Sequence, residues 1–228
     1  MHKLSAIGII LPSLLIASAG ADLYLDDPFD AYGQDNLDIV SVDVNDNGSD
    51  LFITLEVTNL NADWGKYMLF FDLFENQGTG DNHNPWARNV AGMTGTDAFT
   101  GSYIDNGGGT LMYQYGSSWN LTADSNFPGL SLLAPVVDYG SNTITWNSYG
   151  LVDYLQGDFD LDGFNFNVGT TGGNQGDPAI DLLVGSGANW GGQANSGGEW
   201  AYYEFSTVPA PGALALLGMA GIATRRRR

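Results

Sequence analysis

The stretch Asp158-Phe159-Asp160-Leu161-Asp162-Gly163 has the spacing best suited to chemistry. Carboxylates at alternate positions can wrap one hard cation, and the glycine permits the sharp turn that a calcium loop needs. The place where such a loop would close on a bidentate Glu is Gly169. A calcium site on Asp158, Asp160 and Asp162 therefore needs another donor, with Asp153, Asn165 and Asp177 as candidates. The competing reading is an acidic turn ahead of a strand. Asp43-x-Asn45-x-Asn47-Gly48 repeats the spacing between two strand-like runs, which makes it a hairpin turn. The acidic residues Asp22, Asp26, Asp27, Asp30 and Asp35 read as a solvated, partly disordered start.

The aromatic residues are the second constellation. Flat exposed rings stack on sugar C–H faces while Asn, Asp and Gln bind hydroxyls. Trp64, Trp86 and Trp190 fall in loops rich in Asn, Gly and Asp, where binding residues concentrate. The most glycan-like segment carries His83, Asn84, Trp86 and Arg88 together. The plain alternative for Arg88 is a salt bridge to a nearby Asp. Trp119, Trp146 and Trp200 sit in strand-like runs and read as packing residues.

Catalysis finds little support. A glycosidase needs two carboxylates flanking a bond, and no pair here stands in a recognisable motif. Ser-His-Asp chemistry would have to use His83, without a G-x-S-x-G elbow. No Gly-rich loop precedes a helix to cradle phosphate. The chain reads as a non-enzyme.

Charge narrows the classes further. The chain has 228 residues, 7 Lys and Arg against 26 Asp and Glu, and no Cys. Lys3 and Arg225, Arg226, Arg227 and Arg228 lie at the extremes, so the body between Asp22 and Glu204 holds only Lys66 and Arg88 as cations. Two cations against 26 acids leave that body at −24, beside −19 for the whole chain. No basic patch exists to meet nucleic acid or anionic lipid. The absence of Cys excludes disulfides, zinc knuckles and thiol nucleophiles.

The elements that must position these residues are strands. Leu51–Thr58 alternates, with Leu51, Ile53, Leu55 and Val57 on one face. Lys66–Phe74 is almost wholly apolar and predicts a central strand buried on both faces. Asp38–Val44, Ala98–Ile104, Thr110–Tyr115, Trp119–Thr122, Asn142–Trp146, Gly163–Val168, Ala179–Val184 and Trp200–Phe205 complete about ten short strands. One short helix is expected at Ser148–Leu155, and Thr170–Gly198 is expected to be mostly loop. The fold class is all-β, an antiparallel β-sandwich of jelly-roll-like character with at most one short helix.

The two ends read as addresses. Met1–Lys3 is a short basic region, Leu4–Ile16 an apolar run, and Ala17-Ser18-Ala19 a small-x-small cleavage pattern. Residues 1–21 therefore read as a signal peptide, with the mature chain starting at Gly20 or Asp22. At the other end Val208-Pro209-Ala210-Pro211 precedes the apolar stretch Gly212–Ala223 and the Arg cluster Arg225–Arg228. As a helix that stretch is about 18 Å long, short of a hydrocarbon core of roughly 30 Å. The Arg cluster holds it on the cytoplasmic side, so it reads as a temporary membrane stop.

The proline motif, small-residue apolar segment and terminal Arg cluster resemble a PEP-CTERM sorting signal. The family pattern is Pro-Glu-Pro, and Ala210 stands where it has Glu. The resemblance covers residues 208–228. It implies a partner exosortase, transient inner-membrane anchoring, cleavage near Pro209–Pro211, and delivery to the cell surface or extracellular matrix. The body, 22–207, resembles family 9 carbohydrate-binding modules and DOMON-like sandwiches through "DIVSVDVNDNGSDLFITLEV", "KYMLFFDLFENQGTGDNHNPW" and "GFNFNVGTTGGNQGDPAIDLL". That implies a sugar or haem ligand. For haem, the mature chain offers only His83, with Met68, Met93 and Met112. The expectation is a non-catalytic exported protein that binds extracellular polysaccharide and is stabilised by calcium. The alternatives are a structural matrix protein without a small ligand, and a secreted carboxylate-dependent glycan hydrolase.

Overall fold

A computed structural model describes residues 21–26, 31, 33–60, 64–74, 86, 88, 90, 95–105, 108–124, 131–132, 134–185, 187 and 200–206. These form two antiparallel sheets and one helix, the expected sandwich. The six-stranded sheet has the order β1 (Ala21–Leu25), β2 (Ile39–Asp46), β3 (Leu51–Val57), β10 (Thr143–Tyr149). Two short strands, β8 (Ser131–Leu132) and β9 (Val136–Asp138), share the far edge of β10. The seven-stranded sheet runs β12 (Ala179–Leu182), β11 (Gly163–Thr171), β4 (Lys66–Asp72), β5 (Ala98–Tyr103), β6 (Gly109–Tyr115), β7 (Trp119–Asp124). There β13 (Ala201–Glu204) shares with β12 the outer edge of β11. The helix α1 (Leu151–Phe159) connects β10 to β11 and so crosses from one sheet to the other.

Alternation explains the first sheet. In β3 the aliphatic residues Leu51, Ile53, Leu55 and Val57 are buried, while Phe52, Thr54 and Glu56 are half-buried on the outer side. The second sheet is buried on both sides. In β4, Tyr67, Leu69 and Phe71 enter the core between the sheets, and Met68 and Phe70 enter a second cluster on the outer face with Phe99 and Leu182. The uninterrupted apolar run of β4 therefore has the cause expected of it.

Hydrogen bonds staple the sheets together. The indole Nε1 of Trp146, 1% exposed, donates to Ser102 Oγ at 2.6 Å across the core. Buried carboxylates do similar work, because each meets several donors. Asp181 accepts from the Ile39 amide at 2.7 Å. Asp46 accepts from Tyr203 Oη at 2.7 Å and from the amides of Gly48 and Ser206. Asp38 works within one sheet, accepting from Thr58 Oγ1 just after β3 and from the Ala31 amide ahead of β2. Burial together with the Asp46 carboxylate holds the Tyr203 hydroxyl well above its ordinary pKa. Part of the large acidic content is thus internal structure.

The structure departs from the sequence expectations in three places. The acidic start is not wholly loose: Asp22 lies in β1, which pairs with β2 over five residues. Tyr24 anchors that strand, its ring 5.0 Å from Phe166 and its hydroxyl donating to the Tyr202 carbonyl at 2.6 Å. The helix begins at Leu151 rather than Ser148, because β10 continues to Tyr149 and Gly150 then adopts a left-handed φ of 70°. Strand β11 continues past Val168 to Thr171, where Thr170 Oγ1 donates to the Leu37 carbonyl at 2.5 Å.

The Asn47 region forms the expected hairpin. The Asn47 side chain accepts from the amides of Ser49 and Asp50, and Gly48 takes φ 85°.

Candidate functional site

The expected glycan residues divide. His83, Asn84 and Trp190 lie outside the described residues, as do Met93, residues 1–20 of the signal segment and Val208–Arg228 with its Pro209, Ala210, Pro211 and Arg225–Arg228. Trp86 and Arg88 are described, and both are engaged in the fold. The Trp86 ring lies so close over β5 that a Cβ on Gly101 would stand 2.6 Å from it. Its backbone holds a φ of 55°, uncommon for a bulky residue. The Arg88 guanidinium lies 5.6 Å from the centre of that ring. Arg88 is 6% exposed, and Nε, Nη1 and Nη2 donate to the carbonyls of Gly172, Trp86 and Gly173 at 3.2, 3.2 and 3.0 Å. Among the described residues no carboxylate forms a salt bridge with Arg88; backbone carbonyls hold it, and Asp177 acts on it through its charge. Trp86 and Val90 roof the outer cluster of the seven-stranded sheet, together with Trp119 and Trp200.

Trp64 differs. It is 40% exposed, and its carbonyl is held by the Asn36 side-chain amide at 2.9 Å. It adjoins the end of the sandwich where Lys66 pairs with Asp105 at 2.8 Å and lies over the Tyr103 ring.

The calcium expectation falls on the end of α1. Asp158 is in the last helical turn, Asp160 is the left-handed residue that caps it, and Asp162 leads into β11; all three are exposed. The donors expected to complete the site turn elsewhere. Asp153 accepts from Ser49 Oγ at 2.5 Å, Asn165 donates to Asp72, and Asp177 accepts from the Asn174 amide at 2.8 Å. Among the described residues no three His, Cys, Asp or Glu side chains gather to hold a metal ion.

Two carboxylates that the sequence did not single out stand at the end of β4. Asp97 is buried and accepts from the amides of Leu73 and Phe74 at 2.7 and 2.8 Å. Burial raises the pKa of Asp97, and the charge of Asp72 adds to the shift. Burial likewise raises Asp72, against a hydrogen bond from Asn165. The two amides tie Asp97 to the chain leaving β4, which is a structural duty.

A cleft opens beside them, between α1 and the inner face of the seven-stranded sheet, with a volume of about 290 Å³. Phe71, Ala98 and Met112 line its sheet side, and Leu151, Tyr154, Leu155 and Phe159 its helix side. The helix residues recur at helical spacing, so one face of α1 forms the wall. Gln114 and Thr122 bring polar atoms from β6 and β7. The sequence gives the helix face but not the cleft, because the opposite wall comes from four strands distant in the chain.

Comparison with known proteins returns nothing: no family model matches the chain, and no curated protein or solved structure matches it. Both family resemblances therefore rest on the residues quoted for them.

Proposed function

We propose that the chain is a non-catalytic exported β-sandwich, processed by an exosortase and resident at the cell surface or in extracellular polymer. One observation carries the reading: the order of proline motif, apolar segment and Arg cluster in Val208–Arg228, opposite an N-terminal leader pattern. The extent of the fold supports it. The first strand starts at Ala21, and Ser206 is hydrogen-bonded to Asp46. Removing both addresses costs the described strands at most Ala21. Deletion of Val208–Arg228 is expected to release the protein into the periplasm or medium. Unchanged fractionation together with an unchanged mature mass would overturn the reading.

A glycan-binding role is favoured by Trp64, an exposed ring on a fixed backbone. Titration with matrix polysaccharide is expected to quench Trp fluorescence, and Trp64→Ala to abolish the response. A response that survives in Trp64→Ala, or none with wild type, rejects that role. Calcium enters this reading as a screening counter-ion for a body of −24. Calcium and sodium chloride at matched ionic strength are expected to raise the melting midpoint alike. A rise unique to calcium and lost in Asp160→Ala would overturn the screening reading in favour of a fixed site.

A further inference from the structure

We propose that the cleft between α1 and strands β4–β7 is a binding site for a small uncharged ligand with a flat apolar body of about two rings. The proposal is independent of the export reading.

Size sets the first limit. Ligand pockets start at about 300 Å³, and a dry cavity of about 150 Å³ accommodates benzene. A volume of about 290 Å³ therefore takes roughly twice that ring. The walls set the chemistry. The base of the cleft is Phe71, Ala98 and Leu155, all buried in the sandwich core. At the mouth Tyr154 and Phe159 are 42% and 38% exposed, their rings edge to face at 5.2 Å. Phe159 also packs at 4.9 Å on Phe74 from the opposite wall. These exposed rings at the mouth of an apolar depression are surface that an apolar guest would remove from water.

Among the described residues polar capacity is small. Thr122 Oγ1 already donates to the Met112 carbonyl at 3.1 Å, leaving it as an acceptor, while Gln114 and Tyr154 are both exposed lining residues. A sugar brings more hydroxyls than these groups can satisfy, and each one left unpaired is costly. Charge excludes anions. Asp153 and Asp158 are exposed on α1. The two described cations, Lys66 and Arg88, belong to the opposite end of the sandwich, where Lys66 pairs with Thr171 and Arg88 holds Gly172 and Gly173.

The test uses the full-length chain and the uncharged naphthalene dye prodan. Saturable binding with a blue-shifted emission is expected, with a dissociation constant on the order of micromolar. Thr122→Trp, at an exposed edge-strand position, fills the mouth and is expected to weaken binding about tenfold or more. Phe159→Ala removes a wall and is expected to weaken it less. Circular dichroism checks that both variants keep the fold. Absence of saturable binding to wild type, or binding unchanged in Thr122→Trp, overturns the proposal.

Discussion

The two sheets meet in one core but treat their outer faces differently. The outer face of the six-stranded sheet is wet and polar, with Thr54, Thr145 and Glu56 half-buried along β3 and β10. The outer face of the seven-stranded sheet is roofed, with Met68, Phe70 and Phe99 under Trp86, Val90 and Trp200. A wet face needs only alternation in its strands. A roofed face needs chain from elsewhere, and that chain must bring its own anchors. Trp86 and Arg88 supply them, so these two members of the expected sugar segment also hold a second layer of core.

Four substitutions test this contrast. The largest loss is expected for Arg88→Ala, which leaves the carbonyls of Gly172, Trp86 and Gly173 without their charged donor. Hydrogen bonds to charged groups contribute roughly 1.5–3 kcal/mol each, and rehydration and relaxation of the freed carbonyls bring the net loss in denaturant melts to about 2–4 kcal/mol. An effect below about 1 kcal/mol would show that the roof does not depend on this anchor. Gly101→Ala drives a methyl against the Trp86 ring and is expected to cost about 1–3 kcal/mol, with a shifted Trp emission.

Asp72→Asn sharpens the contrast through pH. Burial raises the pKa of Asp72 above 3.8, so between 3.8 and its folded value the folded chain binds more proton than the unfolded chain. Stability is lost as pH rises through that window. The amide is therefore expected to melt higher than wild type near pH 7 and equally near pH 3. Equal melting at both values would remove the burial argument.

The smallest effect belongs to the wet face. Thr54→Val breaks a 3.0 Å hydroxyl pair with Thr145 and is expected to change stability by less than about 0.5 kcal/mol. A larger loss would mean that this face, too, depends on specific contacts.

Legibility in the sequence followed the same division. The period of two in β3 and the unbroken apolar run of β4 each declare their surroundings in the residue order alone. Strand β1 is hidden because it is short, Leu23 and Leu25 are exposed, and only Tyr24 packs against the core cluster. Strands β8 and β9 are two and three residues long, too short for any period. The helix boundary was misplaced because Ser148 and Tyr149 serve as the last residues of β10, a tertiary choice that propensity does not encode. Arg88 was recognisable as a residue with a partner. Its partners were not, since a backbone carbonyl 84 residues away carries no sequence signature. The run Asp158–Asp162 has the spacing of a metal loop, but the sequence does not show that the end of α1 runs through it, with Asp158 in the last turn and Asp160 as the cap.

Asp46 fixes one more property. It sits where β2 ends, beside Ala21 through the pairing of Ala21 with Asn45, and it holds the Ser206 amide. The chain therefore enters and leaves the sandwich at a single pole. Suspended by either terminus, the domain hangs like a lamp from one hook, with Trp64 and the Lys66–Asp105 pair at the pole turned away from the tether.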